Sequence, residues 1–184
     1  MSQEKEIVES ALLVVRWQRG DRAAFEGIVK LWEKSLFYYL RRLAPSEAVA
    51  WEMLQETWLK MIKSLGMVRD PRALPAFLYR TARNTAMSHL RRPEFSERDV
   101  REEREVEEDG DALGEFENAE RVHRALEQLP LLQREALTLY FLQELTLEEM
   151  GVLLGVATGT VKSRLHYAKR AMRKILMQGE ADGA

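Results

Sequence analysis

Cysteine is absent from all 184 residues, which rules out disulfides, thiolate metal sites and thiol nucleophiles. Long apolar runs are missing as well: nothing approaches the roughly 20 residues that a membrane helix requires. The opening MSQEKEIVES has acidic residues where a signal peptide would carry an apolar core. A cytoplasmic protein with no membrane insertion is therefore expected. The three histidines, His89, His123 and His166, are far apart in sequence, and none falls in metal-ligand spacing. GDRAAFEG lacks the Lys-Ser/Thr ending of a phosphate loop and follows a helical pattern. No catalytic residue, metal or cofactor is expected, and the chain does not read as an enzyme. Sustained apolar–polar alternation is also lacking, so no sheet is predicted. Proline is scarce, and four of the five (Pro45, Pro71, Pro93 and Pro130) stand at the edges of helical patterns.

What the chain does have is segregated charge. A formal net charge of −2 conceals a balance of +6 over residues 1–92, −10 over residues 93–120 and +2 over residues 121–184. Like charges in a block repel one another and offer little to a core. The acidic stretch is read as a linker, residues 93–119, between a helical domain at 6–92 and a second at 120–177. The fold class is all-α: two small helical domains joined by an acidic linker, the C-terminal one containing a helix-turn-helix.

Four helices are predicted in the first domain. One runs from about Glu6 to Arg19 and ends at Gly20. Asp21 caps the next, which buries Phe25, Ile28, Val29, Trp32, Leu36, Tyr39 and Leu40. Pro45 and Ser46 open a third, with Leu54, Trp58, Met61, Ile62 and Leu65 as its apolar stripe. Asp70 followed by Pro71 places a cap and a first-turn proline before a fourth helix that reaches Arg92. In that helix Leu74, Phe77, Leu78, Thr81, Ala82 and Thr85 face inward. Arg80, Asn84, Ser88 and Arg91 recur on another face, with Arg83 and Arg92 nearby. Such a face suits unpaired bases, since rings stack, Asn reads edges and Arg holds phosphates; taken alone, an ordinary solvated face with Phe77 and Tyr79 in the core is favoured.

In the second domain, Glu120 to Gln128 and Leu131 to Leu142 are read as helices on either side of Leu129-Pro130. Thr146 and Glu149 then form a capping box, and Leu147, Met150, Leu153 and Leu154 give the following helix one apolar face. Gly155 suits a left-handed helix end, and Thr158 is read as the cap of the next helix. Val161, Leu165, Ala168, Met172 and Leu176 form the inner face of that helix. Lys162, Ser163, His166, Tyr167, Arg170 and Arg173 fall on or near the other. From Thr158 to Lys174 there are six Lys/Arg and no acid, as expected of a helix that enters the DNA major groove. The tail QGEADGA is read as frayed.

Four blocks taken in order resemble the bacterial sigma-70-type initiation factors of the small extracytoplasmic-function (ECF) group. They are GDRAAFEGIVKLW with YYLRRL, LQETWLKMIKSL, FLYRTARNTAMSHLRR, and Leu129-Pro130 with Gln133-Arg134-Glu135 and LTLEEMGVLLGVATGTVKSRL. The resemblance spans residues 10–176. It implies that Glu52, Gln55 and Glu56 meet core RNA polymerase, and that Phe77, Tyr79, Arg80, Arg83 and Asn84 contact the −10 element of promoter DNA, Asn84 helping hold a flipped base. It further implies that Thr160, Lys162, Ser163, His166, Tyr167 and Arg170 meet the −35 element, that the linker threads toward the polymerase cleft, and that an anti-sigma factor holds the protein in check. Ser88 stands where the family often has Asp, Val49, Ala50 and Trp51 where it has an acidic cluster, Ala157 where it has a hydroxyl cap, and Tyr167 where it frequently has Arg. Two rivals come from other classes: a stand-alone helix-turn-helix regulator that binds duplex DNA without polymerase, and a helical adaptor whose basic faces bind acidic protein.

Overall fold

The computed structural model describes residues 3–92, 121–143 and 145–181. Every regular element among them is helical, and they divide into two compact units. The acidic segment lies outside the described residues.

In the first unit α1 (Gln3–Gln18), α2 (Ala24–Leu43), α3 (Glu47–Ser64) and α4 (Leu74–Leu90) follow one another, with 3-10 turns at Leu65–Met67 and Pro71–Ala73. Helix α1 starts earlier than the apolar pattern indicated, and Glu4 and Glu6 in its first turn suit the positive end of the helix dipole. Asp21 departs from expectation. Its carboxylate accepts from the Ala23 N–H at 3.1 Å and pairs with Arg16 at 2.7 Å, while α2 begins after Ala23 with no side-chain cap. It braces the connecting turn and also takes a hydrogen bond from the Ala24 N–H at the start of α2, from two residues before the formal cap position at Ala23. Ser46 does cap α3, accepting from the Val49 N–H. Asp70 caps the turn ahead of α4, accepting from the Arg72 N–H at 3.0 Å with Pro71 first.

The core of this unit joins Val14 and Trp17 of α1, Ile28, Leu36 and Leu40 of α2, Met53, Leu54 and Met61 of α3, and Leu74, Leu78 and Ala82 of α4. Ile62 is corrected: it is 43% exposed. The buried positions of α3 run Ala50, Met53, Leu54, Thr57, Met61, a helical repeat from which Ile62 is turned about 100°.

In the second unit residues 121–127 are helical (α5), then come α6 (Leu131–Leu137), a π-helical turn at Thr138–Leu142, α7 (Leu147–Leu154) and α8 (Thr158–Ala181). The single helix expected from Leu131 to Leu142 thus widens after Leu137. Arg134 donates to the carbonyl oxygens of Glu127 and Leu129, both at 3.1 Å, and so satisfies the end of α5. The capping box on α7 is complete: Glu149 N–H donates to Thr146 Oγ1, and Thr146 N–H to the Glu149 carboxylate at 2.8 Å. Gly155 sits at φ 67°, and its N–H bonds the Gly151 carbonyl. A Cβ on Gly151 would lie 3.1 Å from the Val156 carbonyl oxygen, so the turn closes tightly over a residue without a side chain.

Two expectations about α8 change. The N–H groups of Thr160 and Val161 both bond the Ala157 carbonyl, which puts Ala157 in the cap position and makes Thr158 the first helical residue. The helix also continues through Gln178 to Ala181, where a frayed tail was expected. Buried Val161, Leu165 and Ala168 seat it against Met150, Leu153 and Leu154 of α7 and Ala136, Leu137 and Leu139 of the preceding helix and turn.

The left-handed turn gives a direct test. Gly155→Ala places a Cβ in a conformation that costs about 1–2 kcal/mol. It is expected to lower the unfolding midpoint of the second unit, read by circular dichroism.

Candidate polymerase and nucleic-acid interfaces

What α4 buries decides what it can offer. Leu74, Leu78, Tyr79, Ala82, Thr85, Ala86 and His89 are buried. Arg80, Asn84, Ser88, Arg91 and Arg92 are exposed, with Phe77, Arg83 and Met87 half-buried along the edge. Arg80 lies over the Phe77 ring at 5.5 Å, a cation–π contact that keeps the guanidinium beside the ring. Tyr79 is corrected. It is 2% exposed and meets Tyr39 and Trp32 edge-to-face, with centroids 5.5 and 6.4 Å away. Burial raises its phenol above the ordinary value, with a hydrogen bond to Ser35 acting the other way. A ring packed like this has no face left for a base; it braces α4 from inside.

Helix α3 presents a different surface. Glu52 and Gln55 are exposed beside Trp51, Leu59 and Ile62, which are 41%, 62% and 43% exposed. Trp51 stacks on Phe37 at 4.1 Å and donates from Nε1 to Glu47, so the apolar residue at this departure from the family pattern ties α3 to α2 while leaving one edge outside. Glu56, one turn away from Glu52, is half-buried and leans toward α4. Its Oε1 pairs with Lys60 Nζ at 2.7 Å and its Oε2 meets His89 Nε2 at 2.6 Å, with Arg92 at 3.8 Å. Lys60 also donates to Thr85 Oγ1 at 2.9 Å. Sequence spacing gave no sign of this cluster, because its two halves are 33 residues apart.

On the second unit, Thr160, Lys162, Ser163, His166, Tyr167 and Arg170 are all exposed on α8, as are Lys169, Arg173 and Lys174. His166 and Tyr167 pair edge-on at 5.6 Å. The basic arc is solvent-facing, and no acid interrupts it up to Lys174. Lys169 was not singled out in the sequence. Its ammonium lies 4.9 Å from the Tyr140 ring and 5.1 Å from Phe141, so the π-helical turn steadies one more cation at the margin of this face. Among the described residues no group of His, Asp and Glu could hold a metal ion, and no helix is long and apolar enough to cross a membrane.

Cationic faces on two helical units, one of them a helix-turn-helix, define a DNA-binding transcription protein. Residues 28–94 match the family description "Sigma-70 region 2" and residues 119–172 match "Sigma-70, region 4". The chain is 34% identical over 178 residues to the RNA polymerase sigma-H factor of Pseudomonas aeruginosa, covering 89% of this chain and 92% of that protein. It is also 34% identical over 175 residues to the ECF RNA polymerase sigma-E factor of Escherichia coli, covering 88% and 91%. Among solved structures, CnrH in complex with the cytosolic domain of CnrY superposes with a TM-score of 0.68 at 20% identity, over 92% of this chain and 98% of that one. The sigma factor RpoE bound to the anti-sigma factor NepR from Bartonella quintana gives 0.71 at 24% identity, over 83% and 96%. The chain therefore belongs to the ECF group of the sigma-70 family of RNA polymerase sigma factors. It binds core RNA polymerase and directs transcription initiation, and it is not an enzyme.

The Glu56 cluster has a pH signature. The Lys60 hydrogen bond, aided by the one from His89, holds the Glu56 carboxyl below its ordinary 4.5, with desolvation opposing. A carboxyl depressed in the fold stabilises it above the unfolded value, and the contribution is lost as pH falls through the lower native value. Glu56→Gln is expected to flatten the loss of thermal stability as pH falls below the ordinary carboxyl value of 4.5, relative to the unaltered protein. A curve of the same steepness would contradict this.

Proposed function

We propose that this chain steers core polymerase to a two-part promoter, with residues 120–177 holding a −35 element as duplex and residues 6–92 docking polymerase and capturing the −10 element during melting. The observation that carries the proposal is the division of exposed chemistry. Helix α8 offers cations and hydroxyls in the spacing that suits a major groove, whereas α4 pairs arginines with an exposed amide and a half-buried ring, as single-stranded bases require. Lys162, Ser163, His166 and Tyr167 face base edges, with Thr160 at the helix entrance and Arg170 on phosphate. Arg80, Arg83 and Asn84 take the −10 strand, with Phe77 at the edge of the pocket and Tyr79 supporting it from behind. Asn84 holds a base whose removal from the stack costs a few kcal/mol, offset in the pocket by stacking and hydrogen bonds.

Glu52 and Gln55, flanked by the apolar edge of Trp51, Leu59 and Ile62, form the polymerase-facing patch. The same exposed apolar edge favours a second occupant, an anti-sigma protein that covers this patch when initiation is to be prevented. The site of action is the cytoplasm, where the polymerase works.

Transcription with core polymerase on a randomised promoter library is expected to yield a defined two-part consensus. Asn84→Ala should leave binding to a closed duplex largely intact while reducing strand opening, read by permanganate reactivity of unpaired thymines. Arg170→Ala should weaken duplex binding for all sequences alike and lower the salt slope by about one. Failure of the folded protein to direct any initiation would overturn the proposal.

A further inference from the structure

Glu56 lies one helical turn from Glu52, so the two are neighbours on the surface of α3. Its side chain is 33% exposed, enough to meet a partner, yet three neighbours already hold it. Lys60 Nζ is 2.7 Å from Oε1, His89 Nε2 is 2.6 Å from Oε2, and Arg92 stands 3.8 Å from the same oxygen. The three differ in firmness. Lys60 and Arg92 have side chains 43% and 49% exposed, and ion pairs between long, solvated side chains hold geometry weakly. His89 is 3% exposed and belongs to α4, so packing fixes its ring and aims it from a second helix. An ionised carboxylate only accepts, so Nε2 carries the proton and donates. The other ring nitrogen, Nδ1, is buried with no partner, and Glu56 is thus the one hydrogen-bond partner of the ring among the described residues. A carboxylate offers about four acceptor positions. His89 and Lys60 take two, which leaves the others for donors arriving from outside.

We propose that His89 is a positioning residue for polymerase docking: donating from inside the unit, it fixes the Glu56 carboxylate in the orientation that meets basic N–H donors on core polymerase. The inference rests on the placement of polymerase against α3, and it extends that placement to α4, whose exposed face is assigned to the −10 element. Fixing a side chain before its partner arrives removes an ordering cost at the moment of binding. Without His89, Lys60 would still hold Oε1, but nothing buried would anchor the carboxylate, and its torsions would have to be set by the polymerase. The proposal also gives a function to the one histidine of the first unit, which no other part of the account uses.

The test measures affinity of the full chain for core polymerase, by anisotropy of a label on the chain, well below the melting temperature of every variant. His89→Ala and His89→Phe both remove the donor, the second keeping a ring in the site. Each is expected to weaken core binding by about threefold to about tenfold, the effect of leaving one long side chain to be ordered on binding. His89→Gln, whose amide can donate to the same oxygen, should recover most of the affinity. In a Glu56→Ala background, itself weakened, His89→Ala should cost nothing further, because it acts through Glu56. A merely structural role would give the same loss in both backgrounds. Three results would each overturn the inference: full affinity for His89→Phe, no recovery with glutamine, or an undiminished loss in the Glu56→Ala background. Glu52→Ala separates this failure from that of the underlying reading. If Glu52→Ala and Glu56→Ala both bind core like the unaltered chain, the placement of polymerase on α3 fails and takes the inference with it. If both weaken binding while His89→Phe does not, the inference alone fails.

Discussion

Helix α4 must bury seven side chains to belong to its unit, and that requirement selects the residues left outside. Tyr79 is the largest of them, wedged between Tyr39 and Trp32 with its hydroxyl on Ser35. Once this ring and Leu78 are inside, the 3.6-residue period turns Arg80, Asn84, Ser88 and Arg91 to solvent together. The exposed face is thus the complement of the core face, and neither can be altered without the other. Edge-to-face aromatic packing suits this role because it is directional and fixes helix rotation more firmly than aliphatic contact does.

The second unit solves a similar problem with backbone chemistry. Its long basic helix α8 is oriented by α7, which a complete capping box starts and a left-handed glycine ends, and by a turn that a close approach over Gly151 tightens. With the turn so constrained, Val161, Leu165 and Ala168 settle on α7, and a basic arc remains on the far side. The negative net charge of the chain comes from residues 93–120, which leave balances of +6 and +2 on the segments before and after them.

The helices and the exposed face of α8 were legible from sequence because periodicity and capping are local signals. Gly155, Thr146 and Glu149 behave as their spacing indicates, and Lys162, Ser163, His166, Tyr167 and Arg170 all lie outside. What escaped depended on the third dimension. Phe77 and Tyr79 are two residues apart and looked equivalent, yet one is half-buried beside Arg80 and the other sealed in the core. Trp51 stands out in the sequence only as a departure from the family pattern, and its stacking on Phe37 across to α2 is a tertiary contact. Glu56 is singled out in the sequence only through the resemblance, and its partners His89 and Arg92 come from another helix and its C-terminal boundary. Lys169 was overlooked because the rings beneath it sit on a π-helical turn that no periodicity announced. In each case a tertiary partner, absent from any local window, set the orientation.

The central claim is that sequence-specific DNA binding by this protein requires core polymerase. Fluorescence anisotropy of a labelled duplex carrying the selected promoter, titrated with the chain alone, with core alone and with both together, tests it most directly. The account predicts weak, salt-sensitive binding by the chain alone, binding without sequence preference by core alone, and tight promoter-specific binding only by the mixture. Tight, promoter-specific binding by the free chain, unchanged when core is added, would contradict the account and identify a stand-alone regulator.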